Sequence, residues 1–440
     1  MKVLLIHSSL PEIGNIGKRR RALFPSLTLA YLAALFPKDY RIVLVNDIVE
    51  DIPYDGEFDL VGITFYGIAA LRAFDIARRF RERGIPVVFG GSTATLQPEF
   101  CRPHCDSVVI GEAEHLMPRL LSDFESGRLA PDYSAVGASD ISQLPVPRYD
   151  LLDRSRYYGI YPVQTARGCI FRCSFCSVPR LAYNTVRYRP IEEVIRDVHA
   201  AIASSGSRRI FFVDDNINMK PERAAELFEA LIPLRIEWYS YATILIAKQP
   251  KVLRLAAESG CRMLFIGFES LSQEMLNDVH KPFNQAKNYR EAIETIHAHG
   301  IHIMPSFIFG LDGDDPGVFR RTCEFTDANG LSFPVFHVLT PIPGTSTFEQ
   351  MTAEGRIIEN DLRRFDGRHV VFQPRGMHPE ELESGFEAAR RYIYSLPSIL
   401  RRTVLRRPVG GWRHVGTQLQ MAMLNLHYWW LVRQRFFSIS

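Results

Sequence analysis

What this 440-residue chain lacks sets its first limits. No uninterrupted apolar run reaches the roughly 18 residues that a membrane-spanning helix needs, so none is expected. Seven cysteines are too few and too scattered for a disulfide framework in a chain this long. They are left for the core, for metal ligation or for redox work. The chain does not open on a basic segment followed by an apolar one, so no secretory signal is read and the cytoplasm is the expected compartment. The net charge of +3 is too small to imply nucleic-acid binding. Acids are absent altogether after Glu387. What is present is ordinary for a globular protein: 46% hydrophobic and 23% charged residues, at a length suited to two or three domains.

The first 130 residues alternate apolar strands with helical patterns. KVLLIH (2–7) is a continuous apolar run, as expected of a strand covered on both faces. SLTLAYLAALF (26–36) reads as a helix, YRIVLVND and DLVGITFYG as strands, and about 69–83 as a long helix. PVVFGG and SVVIGEAE complete a pattern that predicts a doubly wound parallel sheet. Ser8, Gly90, Gly91 and Gly111 stand at strand ends, where ligands of such sheets sit. A weakly patterned, Pro-containing stretch follows and reads as a linker over 131–155. A second series of about six strand–helix units then predicts a full or partial barrel over 156–350. Its strand ends place Cys169, Asp214, Asp215, Glu269, Ser270, Gly310 and Pro341 where barrel chemistry lies. Residues 351–440 read as a mostly helical region.

The stretch RGCIFRCSFCSVP sets Cys169, Cys173 and Cys176 within eight residues, with no fourth cysteine nearby. Structural zinc wants four closed ligands, commonly as two short-spaced pairs. An iron–sulfur cluster uses similar spacings, and three ligands leave one iron of a cube open. The spacing alone leaves open a catalytic cluster, a zinc site or no metal.

With Phe175 before its last cysteine, the triplet resembles the CxxxCxΦC signature of the radical S-adenosylmethionine (SAM) superfamily. VDDN (213–216), GFES (267–270), PSFIFGLDGD (305–314) and TPIPGT (340–345) resemble that family's later motifs in the same order. The resemblance implies a partial (β/α)6 barrel and a [4Fe–4S] cluster held by Cys169, Cys173 and Cys176. It implies SAM contacts at Phe175, Asp214, Asp215, Glu269, Ser306 and Gly310. An electron from the cluster would cleave SAM to a deoxyadenosyl radical, with a flavodoxin or ferredoxin as donor.

The doubly wound domain over 1–130 resembles the Rossmann-like cobalamin-binding domain of one branch of that superfamily, through GGSTAT (90–95) and VVIGEAE (108–114). Cobalamin contacts are implied at Ser8, Thr64, Gly90, Gly91, Ser92, Thr93, Gly111 and Glu112. One departure stands out. Where many cobalamin proteins have DxHxxG, this chain aligns Asp47 with the Asp but has Val49 and Ile52 in place of the His and Gly. No cobalt-ligating histidine is expected from that motif. The branch implies a methyltransferase acting on an unactivated carbon of a small or lipidic substrate. A cyclase or rearrangement enzyme with the same cofactors is the alternative, and a non-catalytic zinc protein the alternative of another class.

Two further patterns are weak. FCRPHC (100–105) could offer zinc ligands but reads as a surface loop, and GNIGKRRR (14–21) fails the spacing of a phosphate loop. The tail is stronger: residues 388–440 hold nine arginines, interleaved with YIY, Trp429, Trp430, Phe436 and Phe437. That mixture suits a packed helical cap, or peripheral contact with the inner surface of an anionic membrane. MAMLNLHYWWLV is too apolar for a face that tracks phosphates, so nucleic acid is not expected.

Overall fold

A computed structural model describes residues 1–10, 21–405, 409–411 and 415–433, with side chains in the last helix through Trp430. Most of GNIGKRRR, and Arg406, Arg407, Arg413, Arg435, Phe436, Phe437 and the Arg433 side chain, lie outside the described residues. The chain divides into two compact units. The first comprises 1–170, 177–213 and 361–363, the second 171–176, 214–360 and 364–440.

The first unit is built on β1 (Lys2–His7), β2 (Arg41–Asn46), β3 (Leu60–Thr64), β4 (Val87–Gly90), β5 (Ser107–Ile110) and β6 (Asp132–Ser134). The order is β2-β1-β3-β4-β5-β6, and every pairing is parallel. Alternation along β1 explains its continuous apolar run. Leu4 and Ile6 enter one core, with Val61, Ile63 and residues Ala73, Ile76, Ala77 and Phe80 of the helix Ala70–Arg81. Val3 and Leu5 enter another, with Leu29 and Ala33 of the helix Leu27–Ala34 and Leu120 and Leu121 of the helix Met117–Glu125. Helices therefore cover both faces. Strand order reverses at β1, whose His7 lies in register with Thr64 of β3.

The stretch expected as a linker over 131–155 opens instead with β6, which adds to the sheet edge beside β5. A three-residue strand has no periodicity to read, and Tyr133 alone is core. The unit continues with β7 (Ile160–Val163), β8 (Ala166–Arg167), β9 (Arg187–Tyr188) and β10 (Arg209–Phe212). β7 and β10 pair in parallel, while β8 and β9 form an antiparallel pair that the sequence did not suggest. The helix Ile191–Ser205 packs against this part and ends at Gly206 in the left-handed conformation that glycine permits (φ +67°).

Arg189 and Asp197, both with fully buried side chains, pair at 2.7 Å. Asp197 also accepts from the Tyr31 hydroxyl at 3.2 Å, and Arg189 donates to the Gln164 carbonyl at 3.0 Å.

The second unit holds β11 (Glu237–Ala242), β12 (Cys261–Glu269), β13 (His302–Phe309) and β14 (Val335–Val338), adjacent and parallel in the order β14-β13-β12-β11. The helices Pro250–Glu258, Tyr289–Ala298 and Val318–Ala328 connect them. After β14 the chain is helical: Ser346–Ala353, Pro379–Ile393, Leu396–Val404 and Val415–Arg433. Among the described residues no helix is long and apolar enough to cross a membrane.

Removing one partner of a buried ion pair strands the other charge. Asp197→Asn is therefore expected to cost about 3–5 kcal/mol, read as a lowered urea midpoint with unchanged slope.

Candidate active site

In the second unit the site is organised by the end of β12. This strand runs nine residues and finishes on Gly267-Phe268-Glu269, where its register against β13 shifts. Glu269 adopts a positive φ of 62°, a strained choice for a residue with a side chain. The carboxylate it presents is buried and accepts from the Lys281 ammonium at 2.6 Å. A Cβ built on Gly267 would lie 2.0 Å from Glu269 Oε1 and 2.8 Å from Lys281 Nζ, so glycine leaves the pair its present position. Asn284 Nδ2 donates to the Gly267 carbonyl at 2.9 Å, and the Tyr289 hydroxyl donates to the Phe268 carbonyl at 2.9 Å. These two side chains hold the strained strand end in place.

The loop 171–176 is fastened to the same unit. Ser174 donates its backbone N–H to the Val279 carbonyl at 3.1 Å, and Thr347 donates its own to the Ser174 carbonyl at 3.0 Å. Cys176 N–H donates to the Cys173 carbonyl at 3.1 Å, closing a turn with both thiols half-buried. Phe171 stacks on Phe283 with ring centroids 3.6 Å apart, and the Lys281 ammonium lies 5.7 Å from that second ring. Burial alone would push the Lys281 ammonium down. The charges of Glu269, Cys173 and Cys176 outweigh burial and hold it above its ordinary range. The site thus brings a fixed cation toward two of the three thiols. His337 of β14 is held below its ordinary range by burial, with Glu269 acting in the opposite direction.

The other expected SAM contacts are dispersed around this centre. Ser306 on β13 is half-buried and in register with Gly267, which sets it beside the pair. Asp214 is buried whereas Asp215 is exposed, so the two neighbouring acids face different surroundings. Phe175 is half-buried. Gly310 takes φ +91° and donates its N–H to Asp314 at 3.0 Å. Its close neighbours are Leu382 and Phe372, so its glycine character serves packing. Asn216, not singled out beforehand, is buried, and neither its amide nitrogen nor its oxygen meets a hydrogen-bond partner among the described residues. A buried amide without partners is costly and marks a position where an absent group would supply them. Lys281, His337 and Phe171 also went unnoticed in the sequence. Only Asn216 had a signal, as the last letter of VDDN.

In the first unit the expected residues gather at the carboxyl edge of the sheet. Thr64 is in register with Gly90. Gly91 takes φ +90°, and a Cβ there would lie 2.3 Å from the Thr64 hydroxyl. Thr93 donates its hydroxyl to the Phe65 carbonyl at 3.1 Å, and Ser92 begins the short helix Ser92–Leu96. Ser8 is buried, and its N–H donates to the Thr64 carbonyl at 3.0 Å. At Gly111 (φ +95°) the Tyr183 hydroxyl occupies the space a Cβ would take. Cys169 is half-buried.

Two acids at this edge are held by arginines of their own unit. Glu112 accepts from Arg187 Nη1 and Nη2, both at 2.7 Å, and from the Ser139 N–H at 2.6 Å, and it pairs with Arg167 at 3.1 Å. Burial pushes its carboxyl up. The Arg187 hydrogen bonds and the Arg167 charge overcome that and bring it down to about 2. Asp47 is bound by Arg72 through two contacts at 2.9 and 3.0 Å and by the Ser9 hydroxyl at 2.7 Å. Val49 and Ile52 are buried core residues, so that turn is packed inward and presents no side chain there. In FCRPHC, Cys101 and Cys105 are buried, His104 stacks on Phe74 at 3.8 Å, and no cluster with metal-ligand geometry occurs among the described residues.

A sequence profile described as the radical SAM superfamily matches residues 163–326. The chain is 32% identical to the bacteriochlorophyllide d C-12(1)-methyltransferase of Chlorobaculum tepidum, over 86% of this chain and 84% of that protein. It is 26% identical to the hopanoid C-2 methylase of Rhodopseudomonas palustris, over 78% of this chain and 67% of that one. Among solved structures, the cobalamin-dependent S-adenosylmethionine radical enzyme OxsB with aqua-cobalamin and S-adenosylmethionine bound superposes with a TM-score of 0.72. That match has 16% identity and covers 98% of this chain and 72% of the other, a likeness of fold. The shared architecture is α/β with a parallel-strand half-barrel.

The geometry sets two expectations. Gly267→Ala forces the Glu269–Lys281 pair apart and is expected to cost about 1–3 kcal/mol, read by chemical denaturation. Glu112 has a folded pKa below its ordinary 4.5, so its stabilising contribution is present above that pH and is lost as pH falls toward about 2. Glu112→Gln should lower stability at neutral pH by roughly 3 kcal/mol and flatten the acid limb of the stability curve.

Proposed function

Because the chain belongs to the radical SAM superfamily, we propose that it is a cobalamin-dependent methyltransferase acting on an unactivated carbon of a small or lipidic substrate. The near end-to-end likeness to a methyltransferase whose name specifies a carbon position supports this reading most. The hopanoid relative's name also specifies a carbon.

The residues present fit the three groups this reaction requires. By their spacing along the chain, Cys169, Cys173 and Cys176 would supply thiolate donors for three irons of a [4Fe–4S] cluster and leave a fourth for SAM. Glu269 and Lys281 offer one anion and one cation, the complement of the ammonium and carboxylate of an amino acid. The partnerless amide of Asn216 fits a polar ligand that donates and accepts. For cobalamin, the backbone beyond β3 and at the end of β4 is open: a Cβ on Gly67 would meet nothing, and one on Gly90 only Val109, at 3.8 Å. That suits a flat ring approaching glycines. Asp47 and Val49 bring no cobalt ligand to it, because the first is held by Arg72 and the second is core.

Loaded with these groups, the enzyme gains one-electron cleavage of SAM at the cluster and methyl carriage on cobalt. The chain's own part is placement and dryness. The Glu269–Lys281 pair is buried, and its ammonium lies beside the Phe171–Phe283 stack. Low polarity there strengthens each charge–charge contact with a ligand. A flavodoxin or ferredoxin is the proposed electron donor.

Anaerobic reconstitution with iron, sulfide, cobalamin and SAM tests the reading. Deoxyadenosine should be released, and a tetrapyrrole or hopanoid acceptor should gain the mass of one added methylene. Product without added mass would point to cyclisation or rearrangement. Firm zinc retention without iron uptake would end the enzyme reading. Cys176→Ser is expected to lose the visible cluster absorption. Asn216→Ala should keep the cluster and bind SAM about tenfold more weakly, measured by equilibrium titration.

A further inference from the structure

The last described helices bury several polar side chains, alongside Met421 and Ala422, and turn a set of apolar ones outward. In the segment Leu396–Leu405, Ser398, Arg402 and Thr403 are buried with Ile399, while Leu396, Leu400, Val404 and Leu405 are 42% to 74% exposed. In the helix Val415–Arg433, Gln418 and Asn425 are buried, while Leu419, Met423, Leu426 and Trp430 are 43% to 70% exposed. Hydrogen bonds fix this orientation. Arg402 Nη1 donates to the carbonyls of Leu331 and Ser332 at 3.0 and 2.9 Å. Asn425 Nδ2 donates to the Ser332 carbonyl at 2.7 Å. Gln418 Nε2 donates to the Thr403 carbonyl at 2.6 Å, which joins the two segments side by side. With the polar groups committed inward, spacings of three and four turn both apolar stripes outward, next to each other.

Contiguous apolar surface of this kind marks an interaction site. Its charge setting says which. Residues 388–440 hold nine arginines and no acid, in a chain of net charge +3. Arg390 and Arg402 are buried, and Arg401 is tied to Asp327 at 2.9 Å, but Arg391 is exposed and the stretch as a whole stays cationic. Tyr392 is exposed near the first stripe and Trp430 ends the second, placing amphipathic rings at the margin of the apolar face. No described helix is long and apolar enough to span a bilayer.

We propose that this two-helix face lies in the headgroup region of an anionic lipid bilayer, its leucines and methionine entering the acyl boundary and its arginines meeting lipid phosphates. The proposal is independent of the reaction catalysed.

Flotation of the full-length protein with phosphatidylcholine–phosphatidylglycerol vesicles tests it. The protein floats at low salt, floats less as salt rises, and does not float with phosphatidylcholine alone. The Leu400→Glu/Met423→Glu double variant lowers the bound fraction about tenfold. A second variant, Leu419→Ser/Leu426→Ser, changes only exposed positions and weakens binding in the same direction, with the thermal transition checking that each is folded. In the wild type, brominated acyl chains quench tryptophan fluorescence. Absence of flotation at low salt overturns the proposal, as does flotation unchanged in both variants. A concentration-dependent dimer that both variants abolish, without flotation, assigns the face to a second copy instead.

Discussion

The buried Glu269–Lys281 pair is the constraint around which the second unit is arranged. Its burial explains otherwise unconnected features: the positive φ at Glu269, the register shift at the end of β12, the glycine at 267 and the brace from Asn284 and Tyr289. A buried ion pair is a poor way to gain stability, because desolvation offsets most of the attraction. Strain at its carboxylate adds a further cost. Apolar residues of similar volume would serve folding as well. On the proposed function the pair has a second task, keeping two opposite charges dry and fixed where a zwitterionic ligand can take them up. The Lys281 ammonium also feels the charges of Cys173 and Cys176, so the pair and that part of the thiol loop share one electrostatic neighbourhood.

The first unit uses its charges differently. Glu112 and Asp47 stand at strand ends, where a ligand-binding sheet presents its contacts, yet arginines of the same unit hold both. Ser8, Thr93 and Gly111 are likewise engaged by backbone or by Tyr183. What this edge offers a ligand is therefore chiefly backbone shape, at Gly67 and Gly90. A flat, largely apolar ring with amide-bearing edges needs such a surface more than it needs side-chain charge. Ion pairs behind the edge keep it rigid.

The legible and illegible parts of the chain divide along physical lines. Long buried strands announce themselves, because both faces are apolar and every residue counts, as in KVLLIH and MLFIGFES. The three residues of β6 and the two-residue pair β8–β9 are too short for any period to register. The thiol triplet was legible because three rare residues crowd together. Lys281, His337 and Phe171 were not: each is a single common residue whose role exists only through a partner distant in sequence, Glu269 or Phe283. The VDDN motif was read as two acids, and folding separates them, burying Asp214 and Asn216 and exposing Asp215. Identity was visible there, and facing was not.

Facing also matters in the tail. Composition alone left both a packed cap and a lipid-facing surface open, since arginine and leucine suit both. The decisive residue is Arg402. Burial pushes its guanidinium down to about 10, and its side chain is spent on carbonyls of Leu331, Ser332 and Ile393. An arginine sunk that deeply dictates the rotation of its helix. Rotating the helix would take the guanidinium away from these carbonyls and leave buried acceptors without their donor. The outward position of Leu400 and Val404 is thus a consequence of where Arg402 must point. Asn425 imposes the same choice on the neighbouring helix through the same Ser332 carbonyl. Two polar anchors on one carbonyl fix both helices, and the apolar face they turn out is a built feature of the fold.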